Sequence, residues 1–151
     1  MEALRTVNEI LDFAVAREDE SAQFYTNLAG KAESSNIRQV FLDFAREEQT
    51  HKAKLQAIKR GKLLLPAAKK VKDLKIADYV VDVAPTPDMN YQQALILAMK
   101  KERASFLLYT QLAETTSDDN LRATFLTLAQ EEAKHKLRFE IEYDECVLTE
   151  D

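Results

Sequence analysis

Two Glu-x-x-His units carry the chemistry of this chain: Glu48 with His51, and Glu132 with His135. Each follows another glutamate by 30 residues, Glu18 before Glu48 and Glu102 before Glu132. A step of three puts both members of a unit on one helical face, one turn apart. Burying an isolated carboxylate is costly enough that it is normally protonated, paired or bound to a metal. Four inward glutamates leave a formal charge of −4, which two divalent cations neutralise with the imidazoles as neutral donors. Oxygen-rich ligation with one imidazole per ion suits iron or manganese better than tetrahedral zinc. Bridging carboxylates would hold the two ions close together. A single Glu-x-x-His in a helix-rich chain usually marks a solvated face. Two in register, each with a depth-matched glutamate, point to a two-metal site.

Something must bring the six residues together, and an internal repeat supplies it. Shifting the sequence by 84 residues lays Ala14–Lys52 over Ala98–Lys136 without a gap, and about 16 of the 39 positions are identical. The matches include Glu18/Glu102, Ser21/Ser105, Tyr25/Tyr109, Arg38/Arg122, Phe41/Phe125, Glu48/Glu132 and His51/His135. Each copy reads as helix, polar turn, helix. The predicted helices are 3–29, 36–60, 88–114 and 120–147, with Ser, Asp and Asn capping turns near Glu33–Asn36 and Ser117–Asn120. Arg38 and Arg122 are expected to serve those turns. Between hairpins 3–60 and 88–147, a crossover over 61–87 starts at Gly61 and holds all three prolines. It is too long for a tight turn and long enough to run the length of a bundle. Within it, Leu63–Leu65 and Val80–Val83 are expected to pack on the bundle, with an oligomer contact as the other reading. Residues 71–81 could form a short helix.

Periodicity aims the six residues inward. Leu11, Ala14, Glu18, Ser21, Tyr25 and Leu28 recur at helical steps, as do Leu95, Ala98, Glu102, Ser105, Tyr109 and Leu112. Phe41, Phe44, Glu48, His51 and Leu55 line up on the second helix; Phe125, Leu128, Glu132, His135 and Phe139 do so on the fourth. Glu20 falls off this stripe and is expected in solvent. Glu18 and Glu48 lie 15 residues either side of their turn, and Glu102 and Glu132 repeat the arrangement. All four carboxylates therefore reach one central plane, about 22 Å from the bends.

Composition narrows the alternatives. The 151 residues fit one domain with a real core, and 31% charged residues with only two glycines and three prolines favour long helices. A net charge of −5 without a basic stripe argues against nucleic acid. The lone Cys146 allows no internal disulfide or CxxC metal site and is expected to be inert. The start, MEALRTVNEI, lacks the pattern of a secretory signal, and no apolar run approaches a membrane span. A soluble cytoplasmic protein is the expectation.

Glu18, Glu48-x-x-His51, Glu102 and Glu132-x-x-His135 resemble the ligand set of ferritin-like di-iron-carboxylate proteins. The runs EDESAQFY, REEQTHK, LAMKKERASFLLY and QEEAKHKLRFE resemble the rubrerythrin-type branch. The resemblance implies an all-α, four-helix bundle built from two hairpins joined by a long crossover. It implies two iron ions per chain, with manganese or zinc as substitutes. Glu18 and Glu102 would be terminal carboxylates, Glu48 and Glu132 bridges, and His51 and His135 one ligand to each metal. Tyr25, Tyr109 and Ser105 are candidates to stand behind these ligands, with plain core packing as the other reading of the tyrosines. Rubrerythrins typically carry a further glutamate where this chain has Ser105, which leaves open whether peroxide reduction through a switching carboxylate operates here. No four-cysteine rubredoxin-like motif is present, so electrons would come from an external donor. The implied function is reduction of peroxide or dioxygen at a dinuclear iron site, in a homodimer or tetramer. Ferroxidase-type iron handling and a partner-binding helical module with a structural metal are the alternatives.

Overall fold

The computed structural model describes residues 5–61, 70–71, 85 and 89–150. Four helices dominate it: α1 (Val7–Lys31), α2 (Ser35–Gly61), α3 (Tyr91–Glu114) and α4 (Asp119–Glu150). A two-residue strand, β1 (Arg5–Thr6), precedes α1 and pairs antiparallel with β2 (Lys70–Val71), Arg5 opposite Val71. This pairing explains why α1 starts at Val7 rather than near residue 3: the backbone of Arg5 and Thr6 bonds to a strand instead of a helical turn. α3 also starts later than the periodicity suggests, because Asn90 and Gln93 form a capping box. The Asn90 side chain accepts from the Gln93 N–H at 2.8 Å, and the Gln93 side chain accepts from the Asn90 N–H at 2.9 Å.

The two hairpin turns are built alike. Ser34 Oγ accepts from Ile37 N–H at 3.4 Å, and Asp118 Oδ1 accepts from Leu121 N–H at 3.0 Å, capping α2 and α4 at equivalent repeat positions. Arg38 donates to the carbonyls of Ala29 and Ala32, and Arg122 to that of Thr116. Both arginines thus bond carbonyls at the ends of α1 and α3, as expected of them.

The fold is a four-helix bundle of two hairpins, as the repeat and the family resemblance lead one to expect. Helices pack within each hairpin, α1 on α2 and α3 on α4, and the hairpins then face each other. Two apolar clusters form, each drawing on both hairpins. One holds Ile10, Leu11, Leu55, Leu112, Phe125 and Leu128; the other holds Tyr25, Leu28, Phe41, Leu95, Ala98 and Phe139. The plane of buried carboxylates lies between them along each helix, so apolar packing closes the site from both ends.

Most of the crossover, including Leu63–Leu65, Val80–Val83 and residues 72–81, lies outside the described residues. No helix among the described residues is long and apolar enough to cross a membrane.

Candidate metal centre

All six residues converge. Glu18, Glu48, His51, Glu102, Glu132 and His135 are each at most 2% exposed. They form two overlapping groups whose ligand atoms lie within 4.8 Å of one another: Glu18, Glu48, His51 and Glu132, and Glu48, Glu102, Glu132 and His135. Glu48 and Glu132 belong to both groups. That sharing is what a pair of bridging carboxylates requires, and it comes from geometry alone.

The donor atoms point at one another. His51 Nδ1 lies 3.3 Å from Glu132, 3.5 Å from Glu18 and 3.7 Å from Glu48. His135 Nδ1 lies 3.1 Å from Glu48, 3.3 Å from Glu102 and 3.6 Å from Glu132. Both Nδ1 atoms, both oxygens of Glu48 and Glu132, and one oxygen each of Glu18 and Glu102 are buried without a hydrogen-bond partner. Native interiors rarely strand polar atoms, and each such atom typically costs about 1–3 kcal/mol. Eight in one cluster fit a site for two cations, with oxygen and imidazole donors that suit iron or manganese.

Electrostatics without metal tell the same story. Burial raises Glu132 to about 8, helped by Glu102 and Glu18. Burial and the neighbouring carboxylates also push Glu48 well up, and burial raises Glu102. Burial works to lower His51 and His135, but the close approach and charge of the carboxylates outweigh it, raising them to about 11 and about 9. Without metal these groups therefore hold protons, and metal binding must displace them.

A second ring of residues holds the cage carboxylates across the hairpins. Tyr25 on α1 donates to Glu102 Oε1 on α3, and Tyr109 on α3 donates to Glu18 Oε1 on α1. Each hydroxyl occupies one carboxylate oxygen and leaves the other facing the cage. Burial and nearby carboxylates raise both phenols well above 10, so their protons stay on the tyrosine oxygens. The reciprocal bonds also show that α1 and α3 run antiparallel. Ser105 is buried in α3 one turn after Glu102, as is its repeat partner Ser21 in α1.

Glu47 and Glu131 were not singled out in the sequence, yet they orient the imidazoles. His51 Nε2 meets Glu131 at 2.5 Å, and His135 Nε2 meets Glu47 at 3.3 Å. These contacts turn both Nδ1 atoms inward, the arrangement by which an outer carboxylate fixes a metal-binding histidine. The signal was available, since Glu47 and Glu131 are identical at the 84-residue shift. The halves are not equivalent here: Phe44 stacks on His135 with ring centroids 4.0 Å apart, whereas its repeat counterpart is Leu128. Glu131 is 30% exposed and Glu47 49%. Glu131→Ala should therefore weaken metal binding about 10-fold or more, and Glu47→Ala less. Metal titration by calorimetry checks this, and unchanged affinity in Glu131→Ala would remove the orienting role.

Arg17 and Lys101 add a feature hidden by the inward stripes. They occupy equivalent positions one residue before Glu18 and Glu102 and are 9% and 6% exposed. Arg17 lies over the Phe13 ring and Lys101 over the Phe24 ring, at 5.8 and 5.6 Å. Burial, and after it the nearby charge of Arg17, lowers the pKa of Lys101. Glu20, by contrast, is exposed as expected.

No curated protein sequence matches the chain. Solved structures do. A Thermotoga maritima protein, provisionally described as a ferritin-like diiron-carboxylate protein, superposes with a TM-score of 0.84 at 20% identity, over 97% of this chain and 99% of that one. A hypothetical protein from Pyrococcus furiosus matches with a TM-score of 0.72 at 23% identity, over 91% and 87%. An uncharacterized conserved protein from Magnetospirillum magnetotacticum MS-1 matches with a TM-score of 0.63 at 26% identity, over 93% and 95%. These likenesses support the bundle. The family model for rubrerythrin spans residues 9–143, a stretch that takes in every ligand of the buried cage and both tyrosines behind it; on that match the chain belongs to the rubrerythrin family.

Proposed function

We propose that this protein is a di-iron oxidoreductase that reduces peroxide or dioxygen with electrons from an external donor. The observation that carries the reading is the sharing of Glu48 and Glu132 between two imidazole-containing donor sets. Glu18, Glu48, His51 and Glu132 would hold one ion, and Glu102, His135 and the same two bridges the other. When bound, iron supplies the electron transfer that oxygen–oxygen bond reduction requires. The protein's own residues set the conditions. Glu131 and Glu47 hold the imidazoles with Nδ1 inward, Tyr25 and Tyr109 keep single oxygens of Glu102 and Glu18 free, and the two apolar clusters keep bulk water out.

The test is anaerobic loading with ferrous iron followed by peroxide and an excess of reductant. Two irons per chain, with peroxide consumed over many turnovers, is the expected result. Oxidation that stops after one equivalent would favour ferroxidase-type iron handling. Metal that stabilises the fold without reacting with peroxide or oxygen would leave a structural site in a helical module and overturn the proposal.

A further inference from the structure

Of the buried polar side-chain atoms left without a partner among the described residues, every one belongs to the cage except Arg17 Nη2. Lys101, at the equivalent position of the repeat, is buried as deeply. Arginine and lysine are almost never buried unless paired. Here both are nine-tenths or more buried, and neither has an ion pair or a side-chain hydrogen bond among the described residues.

The cage does not supply the missing counter-charge. One helical step turns a side chain by about 100°, so Arg17 and Lys101 point away from the direction taken by Glu18 and Glu102. Those two carboxylates are also committed: each gives one oxygen to a tyrosine hydroxyl and turns the other toward an imidazole. Lys101 feels the charge of Arg17 more strongly than that of Glu20 or Glu102. The phenyl rings beneath the two heads recover only part of the cost of burying a charge. What the two bases share is a place. Lys101 on α3 reaches over Phe24 on α1, and Arg17 lies over Phe13 on α1, so both heads sit along the contact between α1 and α3.

We propose that Arg17 and Lys101 bind one small oxyanion, such as inorganic phosphate, between α1 and α3. A guanidinium keeps its charge at every relevant pH, and its fork matches two oxygens of a tetrahedral anion. Arg17 Nη2 is the donor that such an anion would satisfy, and Lys101 adds a donor from the other hairpin. The depth of both side chains favours a free ion over a phosphoryl group carried on a larger molecule. Because α1 and α3 belong to different hairpins, the bound anion would tie the two halves of the bundle together. The inference is independent of the metal and of the proposed reaction.

Calorimetric titration of inorganic phosphate into the metal-free full chain, at constant ionic strength in chloride, tests it. One phosphate per chain is expected, with a dissociation constant of about 0.1–1 mM and a melting temperature that rises with phosphate. Arg17→Met should weaken binding more than about 10-fold and Lys101→Met about 10-fold, while Arg17→Lys, which keeps the charge but loses the fork, should fall between wild type and Arg17→Met. Arg103→Met, on the exposed face of α3, should leave binding unchanged. Without phosphate, Arg17→Met should melt no lower than wild type, since it removes a buried charge that has no counter-ion. A wild-type chain that takes up no phosphate, binding that survives Arg17→Met, or an equal loss in Arg103→Met would each overturn the proposal. So would a lower melting temperature of phosphate-free Arg17→Met, which would show that the fold already neutralises this charge.

Discussion

Glu132→Gln will make the metal-free protein more stable and destroy its capacity for metal. The substitution keeps volume and shape but removes the charge from a fully buried carboxylate whose pKa is raised from 4.5 to about 8. At neutral pH the folded state must hold a proton there that the unfolded chain releases, a cost of about 3 kcal/mol before relaxation. A glutamine carries no such cost. A gain of about 1–3 kcal/mol is expected after allowing for amide hydrogens facing other donors, which is a rise in melting temperature of about 2–4 °C per kcal/mol. Metal binding should move the other way. Because Glu132 belongs to both donor groups, both ions should weaken together and metal content should fall below one per chain. His135→Ala gives the contrast: it touches one group and should leave one ion bound on Glu18, Glu48, His51 and Glu132. Metal analysis after gel filtration and calorimetry of the metal-free forms decide the matter. Two tightly held ions in Glu132→Gln, or a lower melting temperature without metal, would show that the carboxylate is not a shared ligand kept at a cost to the fold.

The same buried positions explain which parts of the architecture can be read from residues alone. Glu18, Glu48, His51 and their counterparts interrupt apolar stripes, so helical period alone aims them inward, and the repeat then matches their heights. Tyr25 and Tyr109 were legible as core residues or as partners of a ligand carboxylate, but not which carboxylate each would hold, because each bonds the glutamate of the other hairpin. Which residues face each other across α1 and α3 depends on antiparallel packing that no single helix encodes. Glu47 and Glu131 look like surface positions, since each is partly exposed and sits beside a residue aimed inward. Arg17 and Lys101 were hidden for the opposite reason: long side chains at the edge of a stripe can be buried through their stems while the periodicity marks them polar. In both cases the repeat carried a signal, an acid or a base preserved in type at both copies. The crossover has no such register, and its three prolines interrupt any period that could have been read.

Stability of the metal-free protein should fall as pH rises from about 5 to 9, and metal should reverse the trend. Glu132 is protonated in the fold up to about pH 8 but only up to about 4.5 in the unfolded chain, so the folded state binds more protons between those values. Raising the pH through that window therefore takes stability away. His51 and His135, raised from 6.5 to about 11 and about 9, contribute stability fully below pH 6.5 and lose it as pH climbs toward those values. Both kinds of group act in the same direction. Asp19 does not cancel them: its ion pair with Lys52 lowers its pKa, so its contribution is already complete above pH 5. Cations need the deprotonated ligands, so their affinity grows over the same range and the gap between metal-free and metal-bound melting temperatures should widen with pH. Binding should also release protons, seen as a calorimetric heat that depends on the buffer's ionisation enthalpy. A metal-free melting temperature that stays flat or rises between pH 5 and 9 would mean that the carboxylates and imidazoles of the cage do not hold these protons when it is empty.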